Sequence, residues 1–489
     1  MQASIQNAQA HVAQMQPVIA GAKMRQRYHF MAPSGWINDP NGLIYFRGKY
    51  HFFYQYNPYD AVWGAMHWGH AVSEDLLHWE HLPIALAPSE PYDDDPRGGC
   101  FSGSAIEHEG KLYLLYTGAV NHGAGAVQTQ CLAYSVDGVT FEKYAGNPVI
   151  TTPAGYSAAD FRDPKVWKHG DSFYLVLGAK KDDRAQALLY RSDNLREWEF
   201  VNVLAESRGE LGSMWECPDF FALGGKHVLT FSPMGLGERK AVYLVGEMDY
   251  NTGKFHYTAV GELDWGFDYY APYSFPAPDG RRIVVAWANG WDWLPWWKDW
   301  GPTYPEGWCG WFALPREMRL LPDGRLQFVP VKELEQLRQD ERLYADLQVD
   351  AEPFEFAAGD GPAFELDLEI DLRGTTAERF TLLLRCGAGR QTAINFDLRR
   401  SEMTFDRGQA DGWSTGVTRS PLNLTDKETL NVRVFSDQSS IEVFVDDGRT
   451  VHSGNVFAGN EQNRNFIVAA GGRLQINRMQ MWGIKRAID

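Results

Sequence analysis

A glycine followed at once by a short apolar run recurs five times along this chain: Gly48 to Tyr54, Gly110 to Tyr116, Gly170 to Val176, Gly225 to Phe231 and Gly280 to Trp287. The steps from glycine to glycine are 62, 60, 55 and 55 residues. Each run has the length and bulk of a buried strand, and a near-constant period of this size predicts repeated β-units closing on each other. A polar cluster precedes every glycine: Asn38-Asp39-Pro40-Asn41, Ser102-Gly103-Ser104, Arg162-Asp163-Pro164, Glu216-Cys217-Pro218-Asp219 and Asp268-Tyr269-Tyr270-Ala271. In a five-bladed β-propeller these clusters would face one central axis, and five scattered elements would become one site.

A second pattern keeps register with the first. Ser73 and Trp79, Ser135 and Phe141, Ser192 and Trp198, and Asp249 and Phe255 each span six residues, with turn residues such as Asp137-Gly138 and Asp193-Asn194 between them. That is hairpin chemistry with an aromatic packed between sheets. Beyond residue 330 the period is lost. Gln327 to Asp340 reads as a strand end and a short charged helix, and strict alternation follows. Phe364, Leu366, Leu368, Ile370 and Leu372 alternate with Glu365, Asp367, Glu369 and Asp371, which predicts strands with one buried and one wet face. The expected organisation is an N-terminal helical extension over 1–27, a propeller over 28–330, a linker with a short helix over 331–345 and a β-sandwich over 346–489, all-β overall. In the extension, Ala3, Ile5, Ala8, His11, Val12 and Met15 are spaced as an amphipathic helix.

The net charge of −17 argues against nucleic acid and anionic membranes as partners, and no apolar run has the length of a membrane span. The first 22 residues hold neither Lys nor Arg and no continuous apolar stretch, so they make a poor secretory signal. Five widely spaced cysteines show no metal-ligand spacing, and the expectation is a reduced, cytoplasmic protein, with a homo-oligomer left open. Clustered carboxylates also serve calcium, but no EF-hand-like loop is present, and Asp93-Asp94-Asp95 reads as a solvated loop. No metal and no cofactor is expected.

Three carboxylates carry the candidate chemistry. The repeat places Asp39, Asp163 and Glu216 at equivalent positions of the first, third and fourth units. Like charges crowded in one pocket cannot all ionise easily, so one pKa rises. A general acid beside a nucleophilic carboxylate is the equipment for cleaving glycosidic bonds.

Trp36-Ile37-Asn38-Asp39-Pro40-Asn41-Gly42, Phe101-Ser102-Gly103-Ser104, Arg162-Asp163-Pro164, Glu216-Cys217-Pro218 and, in the second domain, Ser440-Ile441-Glu442-Val443-Phe444 resemble the signature motifs of glycoside hydrolase family 32. The resemblance covers nearly the whole chain and implies a five-bladed propeller followed by a sandwich. It implies that Asp39 attacks the anomeric carbon of a terminal β-D-fructofuranosyl unit, that Glu216 is acid and then base, and that Asp163 holds fructose hydroxyls and stabilises the transition state. It further implies sugar contacts from Asn38, Gln55, Ser102, Arg162, Asp268 and Tyr270, and apolar platforms from Trp63 and Trp291. Sucrose or a short fructo-oligosaccharide would be the small-molecule partner. Three alternatives stay open: a sucrose-6-phosphate hydrolase, an enzyme acting mainly by fructosyl transfer, and an inert sugar-binding propeller. A phosphate on the leaving group would want a cation on the rim, for which Lys298, Arg239 and Lys240 are candidates. Eight Trp lie between Trp287 and Trp311, and some of them, Trp293, Trp296, Trp297, Trp300 and Trp308 included, are expected to rim the pocket. The sandwich is expected to be structural.

Overall fold

In the computed structural model, which describes residues 1–121, 125–237, 239–291, 301–357 and 361–488, the chain folds as a helix, a ring of sheets and a pair of stacked sheets. The ring is made of five sheets laid down in sequence order, antiparallel except where one late strand joins the first. Their inner strands are Gly35–Phe46, Gly99–His108, Phe161–His169, Met214–Leu223 and Tyr270–Pro276. Every inner strand touches the next, and the fifth touches the first, so the ring closes. Each repeated glycine turns the chain from an inner strand into its apolar neighbour. Gly48, Gly110, Gly170, Gly225 and Gly280 all have φ between 60° and 86°, a region that side chains with a Cβ rarely enter.

Closure has a covalently distant clasp. Trp308–Cys309, which follows the fifth sheet's second strand in sequence, pairs in parallel with Gly35 and Trp36 on the first sheet. The helix Gln2–Ala20 packs outside this clasp. Its inward face is Ile5, Ala8, Val12 and Ile19, with Met15 beside Gly307, whereas Ala3 is exposed.

The architecture is therefore a β-propeller followed by a β-sandwich. The segment read as a linker is a 3-10 helix, Lys332–Leu337, that runs directly into the strand Arg338–Val349 of the first sandwich sheet. The two six-stranded sheets bury Leu366, Leu368, Ile370, Val432, Val434, Ile441 and Val443 against Leu382, Ile394 and Phe405. Glu365 departs from the alternation: it is buried, because Arg338 and Arg433 reach its Oε1 at 2.8 and 2.6 Å. Asp93 departs likewise from a solvated loop. It is fully buried and accepts from Lys143 Nζ at 2.6 Å and the Tyr116 hydroxyl at 3.0 Å, while its neighbour Asp94 points to solvent.

The two domains are locked by buried charge. Arg316 of the propeller reaches Asp264 at 2.9 Å and crosses to Glu442 of the sandwich at 2.6 Å. His29 lies between Glu442 and Asp437 at 2.9 and 2.8 Å. Burial works against the His29 imidazolium, but hydrogen bonds to both carboxylates prevail and raise its pKa. Replacing Arg316 with Ala would leave Asp264 buried without its cation and Glu442 with His29 alone. We expect a loss of about 3–5 kcal/mol in stability, read from urea unfolding; an unchanged midpoint would show that the seam does not depend on this charge.

Candidate active site

All five inner strands carry a bulge at their polar cluster. Pairing with the neighbouring strand slips between Ile37 and Pro40, Phe101 and Gly103, Arg162 and Lys165, Glu216 and Asp219, and Tyr270 and Tyr273. Three bulge residues adopt positive φ, Asp163 at 65°, Cys217 at 49° and Ala271 at 52°, each followed by a proline. A bulge bends the strand and re-aims a side chain that regular pleating would bury against the next sheet. Proline suits the second position, since the amide it lacks has no ladder partner there.

The register corrects the expectation of equivalent positions. Asp39 is the second bulge residue of its strand, Asp163 the first of its own, and Glu216 stands just before its bulge. Three different steps around the same kink bring three carboxylates together from different directions.

They form one hydrogen-bonded cluster. Asp39 Oδ2 accepts from the Ser102 hydroxyl at 2.5 Å and from the Cys217 thiol at 3.5 Å. The Cys217 amide donates to Asp163 Oδ2 at 2.8 Å. Arg162 donates from Nε and Nη2 to Glu216 Oε1 at 3.1 and 3.0 Å and lies 3.9 Å from Asp163. The Tyr270 hydroxyl donates to Glu216 Oε2. Arg162 is itself held by Gln128 Oε1 at 3.2 Å and the Ala159 carbonyl at 3.1 Å.

Burial sets the electrostatics. It lifts Asp39 to about 6, with the nearby Glu216 charge adding to it and the Ser102 hydrogen bond opposing it. Burial also lifts Asp163 to about 7; Arg162 opposes this while Glu216 and Asp39 add to it. The raised carboxyls are thus Asp39 and Asp163.

The other expected site residues fall into two sets. Asn38 accepts from the Trp36 indole at 2.8 Å beside Asp39, and Gln55 is anchored to the Cys100 carbonyl at 2.9 Å behind Ser102. Trp63 lies edge-on to Phe101, next to Ser102, and Trp291 stacks over Trp36 with 6.3 Å between ring centres. Asp268 belongs elsewhere. It is 1% exposed, and its Oδ2 accepts from Arg407 at 2.6 Å and from the Asn455 amide at 2.7 Å, both in the sandwich. It fastens the fifth sheet to the second domain, because it precedes the inner strand instead of lying within it. Trp287, Trp308 and Trp311 are core residues and do not rim the pocket. Trp293, Trp296, Trp297, Lys298 and Trp300 lie outside the described residues.

Sequence reasoning missed the residues that hold the bulges. Thr117 Oγ1 accepts from the Asp163 amide at 3.0 Å, and Ser232 Oγ accepts from the Ala271 amide at 2.8 Å. Each stands seven residues after its repeated glycine, as Gln55 does, so the repeat held the signal.

A pocket of gathered carboxylates on a propeller followed by a sandwich defines a carbohydrate-cleaving enzyme of the glycoside hydrolase class. Residues 29–330 match the glycosyl hydrolases family 32 N-terminal domain and residues 333–483 its C-terminal domain. A sucrose-6-phosphate hydrolase of Zymomonas mobilis is 38% identical over 491 residues, covering 94% of this chain and 92% of that protein. A raffinose invertase of Escherichia coli is 39% identical over 471 residues, covering 93% and 94%. Among solved structures, a Bombyx mori family 32 β-fructofuranosidase superposes with a TM-score of 0.83 at 35% identity, covering 100% of this chain and 99% of that one. A mutant of the same enzyme has been solved with sucrose, at 34% identity, the same TM-score and the same coverage. The chain belongs to glycosyl hydrolase family 32, and it is a glycoside hydrolase acting on β-fructosides.

The raised pKa of Asp163 has a cost in stability. Between its ordinary 3.8 and about 7 the folded protein binds a proton that the unfolded chain has released, so stability falls as pH rises through that window. Asp163→Asn removes the ionisation. We expect it to raise stability at pH 8 by on the order of 1–3 kcal/mol and to change it little at pH 3.5, in urea melts at both values. Destabilisation at pH 8 would mean that Arg162 requires the carboxylate.

Proposed function

We propose that this enzyme removes terminal non-reducing β-D-fructofuranosyl units from sucrose and short fructo-oligosaccharides by double displacement, on a propeller whose five sheets are five blades. The single observation that carries the assignment is the clustering of Asp39, Asp163 and Glu216 through Ser102, Cys217 and Arg162. In the first step Asp39 attacks the anomeric carbon as the bond to the leaving oxygen breaks, and Glu216 gives that oxygen its proton. In the second, Glu216 takes a proton from water, the water oxygen bonds to the anomeric carbon, and Asp39 leaves. Two inversions give retention, for which the acid and nucleophile must stand about 5–5.5 Å apart.

The surroundings suit these roles. Ser102 and the Cys217 thiol aim one Asp39 oxygen, leaving the other, Oδ1, buried and without a hydrogen-bond partner among the described residues. An unsolvated carboxylate oxygen is a better nucleophile than a hydrated one. Asp163, fixed by the Cys217 amide, would accept from fructose hydroxyls and offset the positive charge of the transition state. Asn38, Gln55, Arg162 and Tyr270 would complete the polar wall, and Trp63 and Trp291 the apolar one.

The alternative is hydrolysis of sucrose 6-phosphate, the activity in the name of the Zymomonas mobilis relative. Of the rim cations considered, Arg239 is committed to Glu262 at 2.5 Å and Lys240 is buried. Both observations count against these two residues as phosphate ligands, while Lys298 lies outside the described residues. The five cysteines are free and buried, which supports a reducing, cytoplasmic location.

The deciding measurement is kcat/KM on sucrose, sucrose 6-phosphate and 1-kestose in parallel. We expect sucrose or kestose to lead, and Asp39→Ala to lose at least about 10⁴-fold on every substrate. Undiminished activity in that variant would remove Asp39 as nucleophile, and a strong lead for the phosphorylated sugar would select the alternative. Glu216→Gln should lose on the order of 10³-fold on sucrose but far less on a fructoside whose leaving group is a nitrophenolate, which departs without a proton. Equal losses on both would argue against Glu216 as the acid.

A further inference from the structure

A cavity of about 670 Å³ lies where the N-terminal segment, the first propeller sheet and the C-terminal residues meet. Lys23, Arg25, Arg27 and Arg486 line it, with Trp79 on its wall and Glu80 as its only acid among the described residues. Glu80 is exposed and faces Lys49 at 3.7 Å.

Arg25 is the unusual member. It is 8% exposed, and Nη2 donates to the Ala32 carbonyl at 2.9 Å, yet Nε and Nη1 are buried without a partner among the described residues. Nε of Arg27 is in the same condition. Glu306, the nearest alternative, is already engaged: its oxygens accept from the amides of Lys23 and Met24 and from the Trp308 indole. Burial, with Arg486 adding to it, lowers Arg25 to about 10, although the Glu306 charge opposes this. A guanidinium stripped of water with unpaired donors is costly, and an anion in the adjoining cavity would offset its charge.

We propose that this cavity is a binding site for a phosphate group, free or carried by a small sugar, held by Arg25, Arg27, Lys23 and Arg486. Among the described residues four lining cations face one exposed acid, a balance that suits a doubly charged oxyanion better than a single carboxylate. The room exceeds what inorganic phosphate needs, and the Trp79 face could take a sugar ring. The site is distinct from the carboxylate pocket, whose cluster includes none of these residues, and the proposal stands independently of the reaction assigned there.

The test is thermal unfolding of the full chain with inorganic phosphate or glucose 6-phosphate, sodium chloride holding ionic strength constant. We expect a saturable rise in Tm of about 3 °C or more. Arg25→Met should abolish that rise while leaving the ligand-free Tm equal or higher, because an unpaired buried cation has gone. Arg486→Gln, an exposed position, should weaken the half-saturating concentration about tenfold with the fold intact. Both variants should retain kcat/KM on sucrose, which separates this site from the active-site pocket. Tighter binding of glucose 6-phosphate than of phosphate would identify a sugar phosphate as the ligand, and equal binding would identify phosphate itself. A rise of equal size in both variants, or one reproduced by sodium chloride alone, would overturn the proposal.

Discussion

A backbone amide exposed at a strand bulge has lost its ladder partner and must find another acceptor. In this protein the acceptor comes from the preceding sheet. Thr117 of the second sheet takes the amide of Asp163 in the third; Asp163 takes that of Cys217 in the fourth; Ser232 of the fourth takes that of Ala271 in the fifth. The placement of Asp163, Cys217 and Ala271 rests on this relay. It holds the kinks of the third, fourth and fifth sheets open toward the axis. One of its links, Asp163, is itself a carboxylate of the pocket, so structure and candidate chemistry meet in one side chain.

The same geometry accounts for the electrostatics. Main-chain kinks crowd three carboxyls into a space with one guanidinium, and burial then raises Asp39 and Asp163 above the usual carboxylate range. The fold tolerates this because Arg162 is held in turn by Gln128 and Ala159, outside the carboxylate cluster. A site of this kind trades stability for reactivity, with the loss spread over a large β-structure.

Much of this was legible in the sequence, for reasons of period. A repeated glycine before an apolar run marks the same turn in every sheet, so the polar residues ahead of it had to share a face. That reasoning reached Asp39, Asp163, Glu216, Arg162, Ser102 and Tyr270. It failed where period gives no information. Asp268 is two residues from Tyr270 but lies outside the strand, so alternation does not govern it, and its partners Arg407 and Asn455 belong to a domain without the repeat. Asp93 is buried by Lys143, fifty residues on, a pairing that no local pattern announces. The tryptophan-rich stretch reads as a surface loop by composition, yet Trp308 opens the parallel clasp that closes the ring. The bulge acceptors Thr117 and Ser232 were visible in principle, at a constant distance after the glycine.

The buried seam between the domains also bears on how such a protein can change over time. His29 from the start of the propeller, Asp264 and Arg316 from its end, and Asp437 and Glu442 from the sandwich form a single electrostatic unit drawn from three distant stretches of chain. A recombination event that brought in a foreign sandwich would need to supply both acids at matching depth, or else strand the histidine and leave Arg316 with Asp264 alone. Exchange of one domain alone would thus break this join, a constraint that loops lying away from it do not share.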